Sequence, residues 1–267
     1  MRNHSSVAAE PTFPPARRLL VRRVRDLLRV TLADHWGGDA RLRISGEAEL
    51  MTEYAAPRDA VREALALLAD EGLIERRRGL GTLRLGDSVE VNIKLPTGET
   101  PLLRQFGARD RLQARLLEWT WTAAPDAVAA RLADVSPGDD CLCIDYVLRR
   151  NDQPICVITN YLRRHEAASL APTDFLGDFF SLLSHTGTAV RAQDVVLQPR
   201  LADEEVALLL DVAPGAPLMW MEQVIRDEHG DAIDFAIVHI HGDLRVGIPD
   251  VPRMELASSA IPRQEPR

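Results

Sequence analysis

Residues 56–85 read APRDAVREALALLADEGLIERRRGLGTLRL, and this stretch decides the fold of the front of the chain. Pro57 fits the first turn of a helix, where no amide donor is needed, and Gly72 is a stop, so a helix is predicted from Pro57 to about Glu71. Val61, Ala64, Leu65 and Leu68 make its buried stripe. Arg58 and Arg62, four residues apart, project together from the opposite face near its start. After Gly72, LIERRRGLGTLRL gives two short runs of strand character around Gly79-Leu80-Gly81, which reads as a hairpin.

Two more helices are expected upstream. From Arg17 to about Asp34, Leu20, Val24, Leu27, Leu28, Thr31 and Leu32 recur at helical spacing, giving an amphipathic helix with a basic outer face. A shorter helix is expected over 47–54, with Ser45 or Gly46 near its cap and Leu50, Met51 and Tyr54 on its inner side. Helix, helix, helix, hairpin is the order of a winged helix-turn-helix, with the hairpin as the wing.

An α-helix fits the major groove of B-DNA, and side chains near its N-terminus reach the base edges. Arg58 is placed for a bidentate guanine contact and Arg62 for a base or phosphate one turn later. Gly79, Gly81 and Thr82 let the wing enter the minor groove, while Arg76, Arg77, Arg78 and Arg84 reach phosphates beside it. Asp59 and Glu63, next to the two helix arginines, should limit non-specific affinity.

The charge is divided along the chain in the same sense. The 267 residues carry a net charge of -8, yet residues 1–85 hold 15 arginines, no lysine and 12 acidic residues, a net of +3. The remainder holds 17 basic and 28 acidic residues, a net of -11. That asymmetry suggests a nucleic-acid partner for the front part only.

No signal peptide is legible, because RRLLVRRVRDLLRV is interrupted by arginines, and no run approaches the ~20 apolar residues of a membrane span. A cytoplasmic location is expected. Cys141, Cys143 and Cys156 fall in strand-like runs and are expected to be buried apolar residues rather than a disulfide framework.

Beyond residue 85 the period changes to that of strands. LQARLLEWTW, CLCIDYVLR, PICVITNYL, TAVRAQDVVLQ, PLMWMEQVIRD and AIDFAIVHIHG all read so, with turns at RNDQ and EHGD. Helices are expected at PDAVAARLAD, DFFSLLSHTG and ADEEVALLLDV. The chain is therefore α+β: an N-terminal winged helix-turn-helix joined to a C-terminal mixed α/β effector domain. The expected divisions are a disordered arm (1–15), the DNA-binding domain (16–85), a linker (86–108), the effector-binding and dimerisation domain (109–248) and a tail (249–267).

GEAELMTEYAAPRDAVREALALLADEGLIERRRGLGTL resembles the DNA-binding domain of the GntR family of bacterial regulators, above all in VREAL, EGLIERRRGLGT and the position of Arg58. It departs by Ser45-Gly46 where that family has Pro-Ser, by Pro57 for a serine and by Ala60 for a threonine. The later run LADEEVALLLDVAPGAPLMWMEQVIRDEHGDAIDFAIVHIHGDLR is similar to the UTRA effector domain of the HutC subfamily, whose fold is shared with chorismate lyase.

That second resemblance implies a pocket where the hairpin strands meet, holding anionic ligands through arginines and an acidic residue. Here Tyr146 and Leu148 stand where an Arg-x-Arg pair is common, Ile158 at the acidic position, and Ile237 and Ile240 at a common Arg and Tyr; Glu222, Asp234, Asp243 and Arg245 match. Losing cationic donors removes the charge-assisted bonds that hold carboxylate or phosphate. A less anionic, more apolar effector is expected, contacted by some of Tyr146, Tyr161, Trp220, Glu222, Asp234 and His239, core packing being the competing role of each aromatic. His239 and His241 share a strand face, but no third metal ligand is evident, and no cofactor is expected.

The resemblance implies a ligand-responsive transcriptional regulator, usually a repressor, binding a near-palindromic operator as a homodimer. Two alternatives stay open: a regulator whose degenerate effector domain serves only dimerisation, and a chorismate lyase-like enzyme, which would need the cationic pocket.

Overall fold

The computed structural model describes residues 16–34, 43–77, 81–84, 93–95, 112–175 and 179–242. The expected arm and tail lie outside the described residues, as do Arg78, Gly79, Asp243 and Arg245.

The reader begins with α1 (Ala16–Asp34), followed by β1 (Arg43–Ile44), α2 (Glu47–Glu53), α3 (Arg58–Asp70), β2 (Ile74–Arg77) and β3 (Gly81–Arg84). The three strands form a small antiparallel sheet in the order β1-β3-β2, so the expected wing hairpin gains a third strand from Arg43 and Ile44. Gly46 caps α2, and its amide donates to the Glu49 carboxylate at 2.7 Å. Pro57 is the N-cap of α3 rather than its first helical residue, and its carbonyl accepts from Ala60 and Val61. The expected stripe of α3 is buried: Val61, Ala64, Leu65 and Leu68 are each at most 1% exposed. Gly72 ends the helix at φ +71°, a left-handed conformation suited to glycine.

Seven strands make the second sheet: β4 (Ile93–Leu95), β5 (Leu112–Ala123), β6 (Asp140–Arg150), β7 (Gln153–Arg163), β8 (Val190–Leu201), β9 (Pro217–Asp227) and β10 (Ala232–His241). All pairings are antiparallel, in the order β4-β8-β9-β10-β7-β6-β5. Every strand read from the sequence is present. β4 is an addition to those read from the sequence: it falls inside the expected linker and pairs with β8 as an edge strand. The RNDQ turn places Asn151 and Asp152 at φ 49° and 68°, the twist that a tight hairpin turn requires.

Alternation gives this sheet two buried faces, so its central strands are buried almost throughout. One face packs Leu142, Ile144, Tyr146, Ile158, Val238 and Ile240 against Phe175 and α6 (Phe179–Ser184). The other, formed by Cys141, Cys143, Tyr161, Trp220, Phe235 and Ile237, joins α1, α3 and α4 (Asp126–Ala129) in one continuous apolar cluster. α7 (Glu204–Leu210) packs beside them on Val147 and Val157. We call these the far face and the reader face.

This arrangement corrects the expectation of a basic outer face on α1. Arg22 and Arg25 are each 1% exposed and Arg29 is 6% exposed. A polar helical stripe normally marks a solvated surface; here Arg22 meets Asp145 on β6 and Glu205, Arg25 meets Asp203, and Arg29 meets Glu71 at the end of α3.

Candidate functional site

The expected DNA-reading surface is carried by α2, the turn after it, and α3. Arg58 opens α3 and is exposed, as is Arg62 one turn on, where its guanidinium lies 3.4 Å from Glu47. Ala60 is wholly buried, so its departure from the family's threonine faces the reader core rather than a groove. Arg76 and Arg77 close β2 and pair across the hairpin with Thr82 and Gly81, which places all four on the wing. Arg17, absent from the sequence reading of this surface, projects from the first turn of α1 and bridges Asp59 at 3.0 Å and Glu63 at 2.5 Å. The two acids expected to oppose DNA are therefore paired with a cation from another helix.

The six expected effector contacts do not converge. Tyr146 and Asp234 lie on the far face, while Tyr161, Trp220, Glu222 and His239 belong to the reader face, because residues of opposite parity on a strand point to opposite sides. The reader-face residues have structural partners. Glu222 accepts from Arg131 at 2.9 Å, and the Arg131 guanidinium also sits 4.8 Å from the centre of the Phe235 ring. Tyr161 stacks on Phe235 at 6.4 Å, Trp220 lies under Arg200, and His239 meets Asp26 of α1. A crevice of about 180 Å³ remains beside Tyr161 between Arg23, Tyr54 and Trp121, below the ~300 Å³ at which ligand pockets begin.

The far face is different. The resemblance positions Tyr146, Leu148, Ile158, Asp234 and Ile240 all fall on it, and four of these are apolar or aromatic. Among them is a buried polar row, of which the sequence reading named only Asp234. Asn160 donates to Asp234 at 2.7 Å, and Gln223 donates to Gln193 at 2.5 Å from the neighbouring strand pair. Asp234 Oδ1, Asn160 Oδ1 and Gln193 Nε2 are buried without hydrogen-bond partners, which is costly in an apolar setting. Burial pushes the Asp234 carboxyl well above the usual carboxylate range, partly offset by the Asn160 bond, which favours its uncharged form. Tyr146, on the same face, packs edge-on against Phe175 at 4.8 Å.

The three cysteines are buried in β6 and β7 and free. Burial raises the thiol of Cys141 to about 12, and that of Cys143 likewise to about 12. They are unreactive core residues. No group of three or more possible metal ligands occurs among the described residues, and no helix among them is long and apolar enough to cross a membrane.

Comparison with known proteins bears on both parts. Residues 43–83 match the bacterial regulatory proteins of the gntR family, and residues 108–244 match the UTRA domain. The HTH-type transcriptional regulator Rv0792c of Mycobacterium tuberculosis is 25% identical over 203 residues, spanning 74% of this chain and 73% of that protein. The HTH-type transcriptional repressor NagR of Bacillus subtilis is 23% identical over 201 residues, spanning 75% and 82%. Among solved structures, PhnF from Mycobacterium smegmatis is 22% identical, with 82% of this chain and 95% of that one covered at a TM-score of 0.48. With its reader matched in the first 85 residues and the UTRA match covering half of its length, the chain belongs to the GntR family of transcriptional regulators and carries a UTRA effector domain.

Proposed function

We propose that this regulator is a cytoplasmic, homodimeric repressor that leaves a near-palindromic operator when a small neutral molecule binds the far face of its effector sheet. The observation that carries the ligand class is the row of Asp234, Asn160, Gln193 and Gln223, hydrogen-bonding groups set among apolar side chains, where burial favours the uncharged form of Asp234. A protonated carboxyl and an amide NH₂ supply donors and an amide oxygen supplies an acceptor, which suits hydroxyl, amide or lactam groups on an apolar frame. A carboxylate or phosphate would meet Tyr146, Leu148 and Ile158 where the family resemblance implies charged residues. The chorismate lyase-like alternative loses support for the same reason, since a dicarboxylate needs cationic donors.

On the DNA side, Arg58 is read as the base contact, Arg62 as a base or phosphate contact, and Arg76, Arg77, Gly81 and Thr82 as the wing's contacts. Two half-sites are expected because a symmetric dimer presents two recognition helices.

The test is a gel shift of the purified chain on DNA from upstream of its own gene against a random duplex, across a salt series, followed by a thermal-shift screen of neutral and anionic metabolites. Specific retention at moderate salt, with release by neutral compounds that also raise Tm, supports the reading. Release by a phosphate or dicarboxylate instead would overturn the ligand class, and no response to any compound would favour an effector domain that only dimerises.

A further inference from the structure

The buried polar stripe of α1 raises a question that the effector reading leaves open: what holds the reader at one position on the effector domain. Arg22 donates to Asp145 on β6 at 2.8 Å and to Thr159 on β7 at 3.0 Å. Arg25 is paired with the Asp203 carboxylate, and Asp26 with His239 on β10 at 2.9 Å. Each of these side chains on α1 is at most 2% exposed. An arginine cannot shed its charge, so it stays in such a place only while its anions stay with it.

The same helix grips the reader at both ends. Arg17 bridges Asp59 and Glu63 on α3, and Arg29 makes a bidentate pair with Glu71 at the far end of that helix. α1 is thus tied to the recognition helix along its length and to the effector sheet through its middle.

We infer that α1 is a charged latch: Arg22, Arg25 and Asp26, plugged into Asp145, Asp203 and His239, fix the orientation of the recognition helix relative to the effector domain. The strand residues of the latch alternate with those of the far face. Asp145 precedes Tyr146, Thr159 precedes Asn160, and His239 lies between Val238 and Ile240. A ligand that shifts these strands by a fraction of an ångström moves the anions under α1, and a buried ion pair tolerates such a shift poorly. This last step rests on the proposed effector site; the latch itself does not.

The latch is tested without any ligand. Asp203 both pairs with Arg25 and caps α7, its Oδ1 accepting from the Glu205 and Val206 amides at 2.9 Å. Asn keeps that cap, so Asp203→Asn together with Asp145→Asn removes two latch anions while conserving shape. Spin labels are placed at Ala66→Cys on α3 and His185→Cys beyond α6, both exposed, while the native cysteines are buried. Labelled chain is diluted into unlabelled chain so that only distances within one chain are read.

One narrow distance distribution is expected for the otherwise native full-length chain. The double Asn variant should broaden it several-fold, while Arg17→Ala, which leaves the sheet contacts intact, should keep it narrow. Far-ultraviolet circular dichroism establishes that the double variant is folded; should it not fold, Asp203→Asn alone is read the same way. A broad distribution in the native chain, or an unchanged narrow one in a folded Asn variant, would overturn the latch. Either result stands apart from the gel-shift and ligand screen, so failure of the latch and failure of the effector reading are distinguishable.

Discussion

His239 on β10 and Asp26 on α1, 213 residues apart in sequence, meet through a 2.9 Å hydrogen bond, and both side chains are at least 96% buried. Burial and the nearby guanidinium groups of Arg22 and Arg25 lower the His239 pKa despite Asp26, so the ring is neutral and its Nε2–H donates. His239, Arg25 and Arg29 hold the Asp26 carboxyl far below its ordinary value against the cost of burial. Asp26→Ala would leave Arg22, Arg25 and Arg29 without a shared anion. It is expected to cost about 3–5 kcal/mol of stability, measured by denaturant unfolding at pH 7. A loss below about 1 kcal/mol would mean that the neighbouring acids replace it.

Glu205 on α7 gives the interface an opposite response to pH. Burial raises its carboxyl from 4.5 to about 7 although Arg22 lies 3.5 Å away, and Asp203 and Asp26 push in the same direction as burial. The folded state therefore favours the protonated acid. Its contribution is fully present below pH 4.5 and is lost as pH rises through about 7, up to about 3 kcal/mol in all. Asp26 and Asp203, whose values are lowered, act in the other sense and lose their contribution only in acid. Glu205→Gln should flatten the fall in Tm of the native chain between pH 5 and 8, and parallel Tm profiles for the two proteins would contradict this assignment.

These groups mark the limit of what the sequence conveys. The reader helices and six strands of the large sheet were legible because their periods and stop signals are local: Gly72, the RNDQ turn and the alternation of β10 act within a few residues. The destination of the α1 arginines was not, since a period of 3.6 identifies a polar stripe without saying whether water or another domain's carboxylates face it. The charge asymmetry first assigned to nucleic acid is partly internal, with Arg22, Arg23, Arg25 and Arg29 all paired inside the chain. Tyr146 and Glu222 each sit on a recognisable strand, but which face each joins depends on register, and that is set by partner strands far away in sequence. β4 has only three residues, too few for any alternation to register.

Arg58 is exposed at the first position of α3, where a recognition helix reaches base edges. Arg58→Ala should weaken operator binding by about 1–3 kcal/mol and relax preference at a single base pair, as read by competition with operators substituted position by position. Equal losses on operator and random duplex would show that Arg58 touches only phosphate.

Arg17 is expected to act on DNA binding through its neighbours. Its guanidinium bridges Asp59 and Glu63, the two carboxylates that flank Arg58 and Arg62 on the same helix. The Asp59 carboxyl is held below its usual value by the hydrogen bond from Arg17, and the pair of acids beside Arg58 and Arg62 depends on that cation for compensation. Exposed ion pairs add little to stability, and Tm should scarcely move in Arg17→Ala. DNA sees the uncompensated charge directly: affinity should fall by about tenfold at low salt, on operator and random duplex alike, and the loss should shrink as salt screens it. Asp59→Asn combined with Glu63→Gln in the Arg17→Ala background should restore affinity, because the repulsion is then gone. If affinity stays low in that triple variant, Arg17 contacts a phosphate itself rather than shielding the recognition helix from its own acids.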